Sequence, residues 1–156
     1  FEGGNITPTA EFNFFVDPHA AKTVLSCGRP IVMLPLDVTH KALMQRKWLY
    51  DLRDLGTPIG DAAYGMLSFY ERYDLEKYGN SGGPLHDPTV IAYLLRPDLF
   101  EGKKANVDIE IHSELTMGMT VVDWWGVTDR PANVNVLRNI DADGFFQLIL
   151  ERLGRL

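Results

Sequence analysis

His86 and Asp87 stand side by side in SGGPLHDPTV, after a glycine pair and before Pro88, where the apolar stretch VIAYLL begins. A histidine can protonate a leaving group near neutral pH, and a carboxylate is a hard oxygen ligand for Ca²⁺ or Mg²⁺. The plainer reading makes Asp87 a helix cap and Pro88 the first helical residue, with His86 beside them. A second polar group lies in GGNITPTAEFN, where Asn5, Glu11 and Asn13 offer two amides and a carboxylate suited to the vicinal hydroxyls of a sugar. The alternative there is that Asn5 shapes a turn, Glu11 starts a helix and Asn13 caps something. A third group is aromatic: Phe69, Tyr70, Tyr73 and Tyr78 either stack on a planar base or form plain core. In DWWG, Trp124 and Trp125 point to opposite faces if the stretch is a strand, one toward core and one toward a partner or pocket.

The frame that must hold these groups is of modest size. The chain has 156 residues, 46% hydrophobic and 23% charged, enough for one domain with a real core. Its net charge of -6 disfavours nucleic acid and anionic membranes as partners. No apolar run approaches the roughly 20 residues that cross a bilayer. Cys27 is the single cysteine, which excludes an intramolecular disulfide and favours a reducing, cytoplasmic setting. The sequence has no Walker loop, no GxGxxG, no GxSxG and no metal-type Cys or His spacing. It opens FEGGNITPTAEFN, without an initiator Met or signal-peptide pattern, and is expected to be a piece of a longer polypeptide.

Periodicity and punctuation predict the elements. DPHAAKTVLSCG (17–28) reads as a helix with Asp17 as N-cap, Gly28 as terminator and Ala21, Val24 and Leu25 as its buried stripe. IVMLPL (31–36) reads as a strand covered on both faces. Two helices follow over roughly 40–55 and 58–77, the second capped by Thr57 and carrying Ile59, Ala62, Ala63, Met66, Tyr70 and Tyr73 at helical spacing. A short helix over 88–96 places Val90, Ile91, Leu94 and Leu95 on one face before Pro97 ends it. NVDIEIH (106–112) alternates as a half-buried strand, and MGMTVVDWW pairs with it through SELT. ANVNVL adds another strand, and a helix over 142–153 buries Phe145, Ile149 and Leu153, with Phe146 and Leu150 beside them. The fold class is α/β, a mixed sheet flanked by helices with a late antiparallel portion, and residues 1–156 read as one domain or part of one.

These segments together resemble a known family. GNITPTAEFNFFVDPHAA, LPLDVTH, GGPLHDPTVIAYLLRPDLF, ELTMGMTVVD and NVNVLRNIDADGFFQLILERL look like the second half of the inosine-uridine-type nucleoside hydrolases, in the right order. The resemblance implies a Ca²⁺ ion that holds ribose and a nucleophilic water, and cleavage of the N-glycosidic bond to free base and ribose. It makes Asp87 a calcium ligand touching the ribose hydroxyls, and His86 a proton donor facing the departing base. Asn5, Glu11 and Asn13 would bind ribose, while Tyr70 and Tyr73 would close over the base. A nucleoside substrate and a homo-oligomeric state are implied with them. The family's aspartate-rich D-x-D-x-G-x-D-D signature is absent from these 156 residues, so the calcium site is expected to be incomplete here and the chain alone inactive. The rival expectation is a non-catalytic domain that binds a sugar or associates with itself.

Overall fold

A computed structural model of the chain describes residues 2–78 and 82–156, with residues 71–78 described as helical backbone only. The chain forms two compact units, Phe1–Asp37 with Gly102–Arg138 and Val38–Glu101 with Asn139–Leu156.

In the first unit, Glu11 opens a short helix α1 (Phe12–Val16), and Asp17 accepts the Ala20 amide at 2.9 Å to start α2 (Pro18–Leu25). Only the i, i+4 line of Ala21 and Leu25 reaches the core; Val24 stands off that line and is exposed, which corrects the wider stripe. The predicted strand over 31–36 shrinks to β1 (Val32–Met33), because Pro35 offers no N–H to a ladder and Leu36 begins a helix. β1 is also an end strand with Val32 exposed, so it is not covered on both faces.

β2 (Phe100–Ile109), β3 (Thr120–Asp123) and β4 (Val134–Ile140) complete a mixed sheet in the order β1-β4-β2-β3. β1 runs parallel to β4, Val32 opposite Asn135. β3 runs antiparallel to β2, Val107 opposite Val122, as the alternation implies. Ala105, Val107 and Ile109 turn inward against Leu25, Val134 and Val136. β2 begins six residues earlier than its alternation suggests, since its charged leading residues face solvent while their backbone stays in the strand. At Gly102 the strands approach so closely that a Cβ would lie 2.2 Å from the Val136 carbonyl oxygen. The Asn133 side chain accepts the Val107 amide at 2.8 Å and donates to the Leu25 carbonyl at 3.0 Å, tying α2 to the sheet. Trp124 and Trp125 fall in the turn after β3; Trp124 packs against the core and Trp125 is exposed.

The second unit is helical. A short helix α3 (Leu36–Thr39) precedes the predicted helix over 40–55, which shrinks to α4 (Arg46–Arg53). Between them Leu43 pairs with Pro84 in an isolated bridge, which takes the backbone out of helical geometry. α5 (Pro58–Tyr78) begins as expected, with Thr57 Oγ1 accepting the Gly60 amide at 3.1 Å. α6 (Pro88–Leu95) leads into a 3₁₀ turn (Pro97–Leu99), and α7 (Ala142–Leu153) closes the chain with Asp141 as N-cap. α4 packs on α5 and α7, and α7 on α6. Phe146 stacks on Trp48 at 5.2 Å and tilts against Phe145 at 5.0 Å, and these rings with Leu49, Leu52 and Leu148 make the core.

Ile59, Met66, Phe69 and Tyr70 on α5, and Val90, Ile91, Leu94 and Leu95 on α6, are all exposed. The reading of the α5 aromatics as plain core therefore fails for Phe69 and Tyr70. Apolar spacing marks a face to be covered without saying that these residues cover it. No helix among the described residues is long and apolar enough to cross a membrane.

Candidate functional site

The Asn5, Glu11 and Asn13 group is assembled by the start of α1. Asn5 Oδ1 accepts the Phe12 amide at 2.8 Å across seven residues. The Glu11 carboxylate accepts the Asn13 amide at 2.9 Å, the Phe14 amide at 3.3 Å and the Asn13 side-chain amide at 3.2 Å. Asn5 and Glu11 thus do shape a turn and start a helix, as their plainer reading has it. Asn13 caps nothing; its side chain holds the carboxylate instead. All three keep some solvent exposure, so a short helix N-terminus presents one oriented carboxylate and two amides at a surface. That donor and acceptor set can grip adjacent hydroxyls.

His86 and Asp87 belong to the other unit, and the glycine pair before them has a mechanical role. Gly82 adopts φ +147, where an added Cβ would lie 2.4 Å from the Met44 carbonyl oxygen. The backbone then zips onto residues 42–44: Met44 donates to the Gly83 carbonyl at 2.9 Å and Leu85 to the Ala42 carbonyl at 3.0 Å. This fixes the approach to His86. Its Nδ1 lies 2.8 Å from Thr39 Oγ1, and its backbone carbonyl accepts the Thr89 hydroxyl at 2.6 Å. The His40 ring meets it edge-on, with centroids 5.9 Å apart. Asp87 sits at the cap position of α6, yet its side chain makes no capping bond, so the cap reading does not account for it.

His86, Asp87 and Tyr70 line one open groove of about 950 Å³. Its walls are mainly apolar, with Leu52 of α4, Ile91 and Leu95 of α6 and Leu148 of α7 among them. Such a groove, mainly apolar with a few polar groups, suits a flat heterocycle. The side chain of Tyr73 lies outside the described residues. Thr39 and His40, which flank His86, are site neighbours that sequence reasoning missed. They lie in LPLDVTH, and the separation of 47 positions between Thr39 and His86 hides the contact from any local pattern.

A calcium ion takes about six to eight oxygen ligands. Among the described residues no three His, Cys, Asp or Glu side chains converge to hold a metal. Asp87 alone does not fit such an ion. The carboxylates whose pKa lies below the ordinary range stand elsewhere and have local causes. Asp108 is held low chiefly by Lys22 at 3.0 Å, Asp123 by the Thr128 hydroxyl, and Glu110 by the His112 and Ser113 amides.

Residues 1–147 match the family described as inosine-uridine preferring nucleoside hydrolase. An uncharacterised protein of Schizosaccharomyces pombe is 54% identical over 155 residues, covering 99% of this chain and 50% of the relative. A pyrimidine-specific ribonucleoside hydrolase of Shewanella sp. strain ANA-3 is 46% identical, covering 97% of this chain and 48% of the relative. Among solved structures, a purine-preferring ribonucleoside hydrolase from Gardnerella vaginalis superposes with a TM-score of 0.87 at 28% identity, over 98% of this chain and 48% of that one. The chain spans about half the length of the curated relatives it matches.

Proposed function

Because the chain belongs to the inosine-uridine preferring nucleoside hydrolase family, we propose that the polypeptide carrying it hydrolyses the N-glycosidic bond of ribonucleosides. Water adds to C1′ of the ribose and gives up one proton to solvent as the bond from C1′ to the base nitrogen breaks, and the electron pair of that bond leaves with the base. His86 supplies a proton to the base, so that a neutral heterocycle departs. Positive charge builds on the ribose ring meanwhile, and the oxygens of Glu11, Asn5 and Asn13 stabilise it while they hold the hydroxyls. Asp87 contributes a further oxygen to the ribose, and Tyr70, with Tyr73 as its expected companion, covers the base.

The observation that carries this reading is that His86, Asp87 and Tyr70 share one groove. A proton donor, a carboxylate and an aromatic ring lining one groove support the reading.

Calcium belongs to the proposal for the complete polypeptide, with Asp87 as one ligand. The described residues do not hold such an ion alone, and no step above is routed through it. The 156 residues alone are accordingly proposed to hydrolyse little. Self-association is proposed as well, because apolar side chains as large as Trp125 stay in solvent at 77% exposure. A reducing compartment such as the cytoplasm is proposed as well, since the free Cys27 is exposed.

The test is direct. The polypeptide as its gene encodes it is incubated with purine and pyrimidine ribonucleosides, and free ribose is measured before chelation, after chelation and after calcium is restored. Ribose release that chelation stops and calcium restores is expected. A folded polypeptide that releases no ribose from any of them contradicts the proposal.

A further inference from the structure

We propose that Thr39 is a positioning residue for His86: its buried hydroxyl fixes the imidazole in the orientation from which it meets the departing base. The inference deepens the functional reading above and rests on it. Three observations carry it. Thr39 is 4% exposed at the end of α3, beside the fully buried Val38. A buried hydroxyl calls for a partner, and its partner is His86 Nδ1 at 2.8 Å. The second clamp is Thr89, also fully buried, whose hydroxyl donates to the His86 backbone carbonyl at 2.6 Å. Backbone and ring of one histidine are therefore held by hydroxyls from two separate helices.

The chemistry of the partner matters. A hydrogen bond at Nδ1 fixes rotation of the ring and so fixes the direction in which Nε2 points. A hydroxyl can accept from Nδ1–H or donate to a bare Nδ1. Thr39 can thus keep its contact before and after the ring gives up a proton, without placing a charge beside it. His40 meets the ring edge-on, with centroids 5.9 Å apart. Asp87, Tyr70 and Arg152 line the same groove.

The experiment uses the polypeptide as its gene encodes it and two substrates. One is a natural ribonucleoside, whose base leaves with a proton. The other is a nitrophenyl riboside, whose nitrophenolate leaves without one. Thr39→Val is expected to lower kcat on the ribonucleoside by roughly tenfold or more at constant KM. Turnover of the nitrophenyl riboside stays as it was, and Thr39→Ser restores the natural reaction. Unchanged turnover of the ribonucleoside in Thr39→Val overturns the proposal. So does a parallel fall on both substrates, which marks a structural role only. Failure of both Thr39→Val and Thr39→Ala to fold, while Thr39→Ser folds, equally assigns the hydroxyl to structure and overturns it. His86→Ala separates the two levels: if it spares the ribonucleoside reaction, the role given to His86 falls. If it abolishes that reaction while Thr39→Val does not, only the role of Thr39 falls.

Discussion

The side chain of Asn5 accepts the backbone amide of Phe12 at 2.8 Å, joining a loop to the helix that Glu11 starts seven residues later. One amide oxygen thus satisfies a helix N-terminal donor and sets the spacing between the two ends of the polar group. Asn5→Ala should cost about 1 kcal/mol, the usual worth of such a capping bond. Asn5→Asp, which keeps the acceptor, should cost less. Chemical denaturation of the two variants beside the parent measures the difference.

Gly82 combines positive φ with a backbone oxygen of Met44 where a side chain would start. Gly82→Ala must move the loop that delivers His86, and a cost on the order of 1–3 kcal/mol is expected from the strain. The same variant should show lower kcat, since His86 follows within four residues. A thermal melt and a turnover assay on one preparation check both; full activity with an unchanged melting temperature contradicts the role given to the glycine.

Asp108 links the sheet to α2 through Lys22 and also meets Arg130 at 3.4 Å. Lys22 is the main cause of its lowered pKa. A carboxyl that is more acidic folded than unfolded stabilises the fold fully above the ordinary aspartate value of about 4. That contribution falls away as pH drops from there through the lowered value. Asp108→Asn should remove this part of the acid sensitivity while leaving stability near pH 7 only slightly reduced, because the pair is partly exposed. Urea midpoints compared between pH 7 and pH 3 test it; an identical pH dependence in the variant contradicts it.

How much of this was legible in the sequence follows from the range of each interaction. Asp17, Thr57 and the alternation of Val107 and Ile109 are local signals, and the helices and strand they predict are present. The strand over 31–36 failed because Pro35 and Leu36 end it after two residues, and an apolar run alone does not say where a ladder stops. The helix over 40–55 failed at its start for a longer-range reason, since Leu43 answers to Pro84 far along the chain. The polar site shows the same division. Asn5, Glu11 and Asn13 lie close enough in sequence to be read as one group; Asn13 bonds the Glu11 carboxylate, and Asn5 holds the Phe12 amide beside them. One partner of His86 is Thr39, and only the fold brings a threonine from so far away to an imidazole nitrogen.

The central claim is that His86 and Asp87 serve the cleavage of a ribonucleoside. The most direct test is kcat for ribose release by the polypeptide as its gene encodes it, beside its His86→Ala and Asp87→Asn variants, with folding checked by melting. Each variant is expected to lose roughly a hundredfold or more in kcat, in line with the loss of a proton donor or of a transition-state contact. Variants that melt like the parent and still release ribose at its rate would contradict the account.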